Sequence, residues 1–273
     1  MCCSCRVLRF RDISLSTGVN LHFAEQGAAK DLPTALLLHA IGDSWYSFQP
    51  LLAQLSPEVC HVIAPDQRGH GQSQVTASSF EVEDFALDAV ALLDELGIES
   101  VVVVASSSAS FTGRLLARRF PDRVRGLLLL GGPGVCLNSD AARLFVDEMN
   151  VWVDNEPVPR SWVANLVAAM TASPMPPEFT QAMITDSCRV PVRVWRRTLA
   201  GLLSFDDRTD LAGITTRTVI VRGELDNFIE AAAAEELASL IPKSRLLTYP
   251  GVGHVPHWDR PDLVAADLRS LLT

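Results

Sequence analysis

Three consecutive serines, Ser106, Ser107 and Ser108, follow the β-branched run 101–104 and precede a helix-like stretch in which Ser110 adds a fourth. A serine at a sharp turn from a buried strand into a helix can act as a nucleophile, because the turn lifts its hydroxyl clear of the backbone. Such a turn strains the serine's own backbone. It also brings strand and helix so close that the residues two before and two after must be small. Ser106 fails this rule, since Val104 stands two before it, and Ser110 lies too far into the helix. Ser107, flanked by Ala105 and Ala109, and Ser108, flanked by Ser106 and Ser110, both pass. The competing reading of the segment is a polar turn that merely ends a buried strand.

A serine hydroxyl is a poor nucleophile until a base removes its proton, and a base working near neutral pH points to histidine. Of the six histidines, His254 in PGVGHVPHW follows the last strand-like run and is expected on a loop at the carboxyl edge of a sheet. His257, three residues on, is expected to flank the pocket or the surface. His39 ends a strand in LLLHAIG and reads as a structural residue fixing that loop. His22 and His61 fall on strands, and His70, within RGHG, reads as ordering a turn.

These residues need elements to hold them. Strands are predicted over 7–11, 21–25, 35–39, 59–65, 101–105, 124–130, 218–222 and 245–249. Helices are predicted over 45–55, 82–96, 111–120, 231–240 and 263–272. Unbroken Val and Leu runs without alternation suit strands covered on both faces, so the order of elements predicts an α/β fold with a mostly parallel sheet between helices. The stretch 135–205 breaks the pattern. It has no clear strand, and it carries Met149, Trp152, Trp162, Met170, Met175, Met183 and Trp195 in apolar helical segments punctuated by prolines. We expect residues 1–134 and 206–273 to form the core and 135–205 a helical cap over the carboxyl edge, where open α/β sheets bind ligands.

Several segments together resemble the α/β-hydrolase fold superfamily: LLLHAIGDS, APDQRGHGQS, RRFPDRV followed by GLLLLGGPG, VRGELDN and YPGVGHVPHW. The resemblance spans about 10–272 and is weakest in 135–205. It implies an eight-stranded, mostly parallel sheet with a helical lid. In that family the nucleophile precedes the proline of the P-D/E-R-V turn by a helix of nearly fixed length, and counting back from Pro121 selects Ser107. The usual G-x-S-x-G is here A-S-S-S-A. By the same resemblance Asp226 stands where a G-x-x-D motif places the acid, with Glu224 the weaker candidate. The order Ser107, Asp226, His254 is that of the fold's triad. The implied oxyanion donors are the main-chain N–H groups of Ser108 and Ile41, although Ala40 replaces a customary glycine. The DQRGHGQS segment is read as structural, an Arg–Asp contact with loop-shaping glycines. Trp45, Trp152 and Trp162 are candidates to line the substrate pocket.

The implied activity is that of a serine hydrolase cleaving an ester or lactone of a small, largely hydrophobic substrate through an acyl-enzyme on Ser107. Carbon–carbon or amide hydrolysis and perhydrolysis would use the same triad. Serine rather than aspartate at position 107 argues against epoxide hydrolase and haloalkane dehalogenase chemistry. A hydrolase-derived small-molecule binder with little turnover is the reading from another class. No cofactor and no metal are implied. With a net charge of −9 over 273 residues, and Lys30 and Lys243 the only lysines, nucleic acid is not an expected partner. No apolar run is long enough to cross a bilayer, and MCCSCRVLRFRD lacks the basic-then-apolar pattern of a signal peptide. A cytoplasmic monomer or homodimer without membrane contact is expected. Cys2, Cys3 and Cys5 read as incidental thiols, and Cys60, Cys136 and Cys188 as small packing residues.

Overall fold

The computed structural model describes residues 8–27, 32–137 and 140–273, so Cys2, Cys3 and Cys5 lie outside the described residues. Eight strands form one sheet: β1 (Arg9–Ser14), β2 (Asn20–Gln26), β3 (Thr34–Leu38), β4 (His61–Pro65), β5 (Val101–Ser106), β6 (Val124–Leu130), β7 (Arg217–Gly223) and β8 (Ser244–Tyr249). Their spatial order is β1-β2-β4-β3-β5-β6-β7-β8. Strand β2 pairs antiparallel with both β1 and β4, and every other neighbouring pair is parallel. This is the α/β-hydrolase architecture expected from the sequence.

The central strands β3, β5 and β6 are buried on both faces, as their unalternating runs require. Val101, Val103, Ala105, Leu127 and Leu129 face helices α2 (Val82–Glu95), α3 (Ala109–Arg119) and α8 (Ala231–Leu240). Val102, Val104, Leu128 and Leu130 face α1 (Gln49–Leu52) and α10 (Pro261–Leu272). Full burial of one Val or Leu side chain contributes roughly 1.5–3 kcal/mol, so these central strands make a stiff platform. Most bounds shift by a residue or two, and two elements differ further. The first strand runs 9–14 rather than 7–11. The predicted helix 45–55 is only a 3₁₀ turn, Trp45–Phe48, followed by the one-turn α1.

Among the described residues, four α-helices lie between β6 and β7: α4 (Asp140–Met149), α5 (Arg160–Met170), α6 (Pro177–Arg189) and α7 (Val192–Ser204). Prolines 159, 176, 177 and 191 stand at or next to the first residues of α5, α6 and α7, where a missing N–H costs nothing. Met149, Val163, Val167, Phe179, Met183 and Trp195 bury against one another and against Phe80, Phe85, Val255 and Trp258 of the sheet-bearing part. Arg114 of α3 anchors the return of the chain: it makes two hydrogen bonds to Asp207, at 2.7 and 3.1 Å, and two more to the carbonyls of Pro133 and Gly134.

Candidate active site

Strand β5 ends in the turn to α3, and Ser107 is the residue on which the chain reverses. Its φ of 48° is positive, a value no other described residue except glycine adopts, and costs about 1–3 kcal/mol. The neighbours hold it there. Ser107 N–H donates to the Leu130 carbonyl at the end of β6 at 2.7 Å, and its own carbonyl accepts from Ser110 N–H. Ala105 in place of glycine is accommodated from the other side: a side chain at Gly113 of α3 would stand only 3.1 Å from the Ala105 Cβ. The helix carries its glycine where the strand lacks one.

His254 arrives from the loop after β8. Its Nε2 lies 2.8 Å from Ser107 Oγ, and its Nδ1 lies 3.1 and 3.0 Å from the two carboxylate oxygens of Asp226. An ionised carboxylate only accepts, so Nδ1 carries the ring proton and Nε2 is free to accept the serine's. Asp226 has a fully buried side chain and also accepts from the N–H groups of Phe228 and Ile229, at 2.8 and 3.0 Å. Burial alone would raise its pKa. The hydrogen bond and charge of His254 and the two N–H donors outweigh that and hold the carboxyl below the ordinary carboxylate range. Glu224 turns away and accepts from Gly251 N–H. The three side chains therefore form one continuous hydrogen-bonded row, with the components for deprotonating a serine hydroxyl and stabilising the resulting imidazolium.

The backbone of His254 is fixed from the insertion. The Met170 carbonyl, at the C-terminus of α5, accepts from His254 N–H at 2.8 Å, and Asp259 accepts from both Gly253 and Ala172 N–H. Ile41, on the loop after β3, faces the serine turn, and its N–H donates to the Ser108 side-chain oxygen at 2.9 Å. The adjacent Gly42 has φ +80°, and a Cβ there would strike the ring of buried Trp195 from α7 at 1.9 Å.

A cavity of about 130 Å³ opens at Ser107 and His254. Its walls are mainly apolar and include Leu137, Phe145, Leu199, Leu202, Phe228 and Ile229. None of the tryptophans expected to line it does so. Trp45 packs against Phe10 and Tyr46 beside the sheet. Trp152 and Trp162 stack edge-to-face, and Trp162 continues the stack onto Phe145 and Trp195. Rings this large fill the interior of the insertion, and one smaller ring, Phe145, reaches the cavity. The missed wall residues carried a signal nonetheless: Phe228 and Ile229 follow Asp226 directly, and Leu199 and Leu202 share one face of α7 at helical spacing.

The remaining histidines are bonded within the structure. His22 meets Asp12, and His61 meets Glu25 and Thr34. His39 donates from Nδ1 to the Ala40 carbonyl and accepts the Gln67 N–H at Nε2. His257 lies neither on the cavity nor at the surface. It is fully buried 3.1 Å from Ser47 Oγ, and burial holds its pKa near 3. Arg68 makes the expected loop contact, donating to both oxygens of Asp88. Asp43 was not singled out in the sequence. It is buried beside Ser47, which donates to it, and it faces Asp186 of α6. Burial above all raises its pKa to about 7.

Residues 33–261 match the family model for the alpha/beta hydrolase fold. Among curated proteins, epoxide hydrolase 1 of Siraitia grosvenorii is 35% identical over 42% of this chain, an overlap spanning only 36% of that protein's length. A non-heme haloperoxidase of Rhodococcus erythropolis is 26% identical over 95% of this chain and 98% of its own. Among solved structures, the enol-lactonase from Burkholderia xenovorans LB400 superposes with a TM-score of 0.83 at 19% identity, covering 96% of this chain and 99% of that one. The family match runs through the Ile41 loop, the Ser107 turn, Asp226 and His254, and this chain belongs to the α/β-hydrolase family of enzymes.

Proposed function

We propose that this enzyme is a serine hydrolase that cleaves the ester or lactone bond of a small, largely apolar substrate. The observation that carries the reading is the unbroken row from Ser107 Oγ through His254 to Asp226 at the mouth of an apolar cavity. Ser107 attacks the carbonyl carbon as its proton passes to His254 Nε2. The developing oxyanion lies between the main-chain N–H groups of Ile41 and Ser108. His254 then gives the proton to the leaving alkoxide, and water attacks the acyl-enzyme by the reverse sequence. The insertion acts as a cap, supplying the cavity walls from Phe145, Leu199 and Leu202. The volume suits an acyl group of a few carbons. Likeness to an enol-lactonase in fold, and to a haloperoxidase in sequence, supports a carbonyl substrate and leaves perhydrolysis by the same acyl-enzyme as the second reading.

The matches to epoxide hydrolases do not carry their chemistry to position 107. Opening an epoxide with a serine hydroxyl would leave an alkyl ether on the enzyme, which a histidine-activated water does not cleave. An ester intermediate is cleaved readily. The reading is tested with p-nitrophenyl acetate and butyrate: Ser107→Ala should lower kcat by at least about 10³-fold. Equal turnover in the two proteins would overturn it, and loss in neither Ser107→Ala nor Ser108→Ala would favour a binder with incidental esterase background.

A further inference from the structure

Behind Ser108 lies a second, smaller chamber of about 20 Å³, bounded by His70, Thr112 and Thr198 and sharing Ile41, Ser108 and Leu202 with the substrate cavity. Two of its polar atoms are buried without a hydrogen-bond partner, His70 Nε2 and Thr198 Oγ1. The Nδ1 of His70 faces the Arg68 carbonyl at 2.9 Å, and a carbonyl only accepts, so Nε2 is a bare lone pair in want of a donor. Burial keeps the ring neutral, with a pKa near 4. His39 and Gln67 on the same wall are already committed, since both nitrogens of His39 are bonded and Gln67 donates its side-chain amide to the His39 carbonyl.

Ser108 lines both chambers, and its hydroxyl has a partner. It accepts the Ile41 N–H, and only Cα and Cβ separate it from its own main-chain N–H. The Ile41 N–H is one of the two donors assigned to the oxyanion, so the hydroxyl oxygen competes with a substrate's carbonyl oxygen for it. One N–H cannot serve both acceptors at full strength. A serine side chain has three staggered rotamers, and turning about χ1 exchanges one acceptor site for another without moving the backbone.

We propose that the Ser108 hydroxyl is a two-position stopper: it fills the oxyanion hole at rest and turns into the rear chamber, toward Thr198 Oγ1 and His70 Nε2, when a substrate carbonyl enters. The inference rests on the hydrolase reading above. It makes Ser108 a positioning residue through its side chain as well as an oxyanion donor through its backbone. Substrates that develop strong negative charge on oxygen displace the stopper best, so the device favours the transition state over weakly accepting ground-state carbonyls.

The test is a double-mutant cycle of Ser108→Ala with Thr198→Val, read by the affinity of phenylboronic acid and by kcat and KM on p-nitrophenyl butyrate. Ser107 Oγ adds to boron as its proton passes to His254, and the tetrahedral boronate anion places an oxygen in the hole. Ser108→Ala keeps the main-chain N–H and should tighten boronate binding by about threefold to tenfold and lower KM. Thr198→Val should weaken boronate binding by about threefold in the parent and leave it unchanged in the Ser108→Ala background. Melting temperatures within a few degrees of the parent show that all variants are folded. A fall of tenfold or more in kcat for Ser108→Ala, with weaker boronate binding, would make the hydroxyl a donor to the oxyanion and overturn the stopper. Equal effects of Thr198→Val in both backgrounds would overturn it too. Absence of ester turnover and of boronate binding in the parent would instead strike the hydrolase reading itself, and the inference with it.

Discussion

The sheet and the helical insertion solve different problems with much the same residues. In the sheet, Val101–Ser106 and Leu127–Leu130 are buried completely, paired on both edges and covered on both faces. In the insertion, apolar residues are shared among an inner cluster, the cavity wall and the surface, where Val151 is 80% exposed. The groups that would make and break bonds all stand on loops at strand ends, and most of the shape around them comes from between β6 and β7. On the reading proposed above, chemistry stands on the part that cannot easily rearrange, and selectivity on the part that can.

Four changes would sharpen or break that division. Asp226→Asn should be the most severe: it removes the negative charge and sets a donating amide nitrogen where a carboxylate oxygen accepts from His254 Nδ1, favouring the wrong tautomer, and should lower kcat by about 10³–10⁴-fold, with a smaller change in KM. Activity within tenfold of the parent would show that the row of three does not work as a unit. Leu128→Ala, in the middle of β6, should cost about 2–5 kcal/mol in urea unfolding while leaving the relative rates on different acyl chains unchanged. Leu199→Ala should do the reverse. Its effect on stability should be the lesser, and butyrate and hexanoate esters should gain severalfold over acetate. A uniform loss across all esters would place Leu199 with the core rather than with selectivity.

Asp43→Asn should give the smallest effect, at the junction of the two regions. The folded protein keeps the Asp43 proton to about pH 7, against an ordinary value of 3.8, so stability falls as pH rises through that interval. Its surroundings are the Ser47 hydroxyl, which donates to it, and the carboxylate of Asp186 on α6. The neutral asparagine should match the parent's Tm near pH 4 and exceed it by a few degrees at pH 8. A constant offset across that range would refute the buried carboxyl as the cause.

What could be read from the sequence follows the same boundary. Strand runs such as VVVV and GLLLL announce double-sided burial because no polar residue interrupts them. The small flanks of Ser107, Ala105 and Ala109, express a steric demand that any sequence must meet. The tryptophans expected on the cavity wall lie elsewhere because position near the site in sequence does not fix where a ring points, and Trp152 and Trp162 pack against other rings. Helix 45–55 is met only in part, by a 3₁₀ turn tied down by Asp66 and Ser44 and the single α-helical turn that follows it. The rear chamber was invisible because it is assembled from the 39–41 loop, the 67–70 loop, α3 and α7, which no local pattern links.

The Met170 carbonyl that accepts His254 N–H has an evolutionary corollary. Exchanging the helices between β6 and β7 for foreign ones would replace one of the backbone supports of His254 along with part of the cavity wall. Chimaeras that keep the end of α5 and its reach to residue 254 should retain turnover while changing taste in substrate. Those that replace that helix end would lose rate first, however well their new walls fit the ligand.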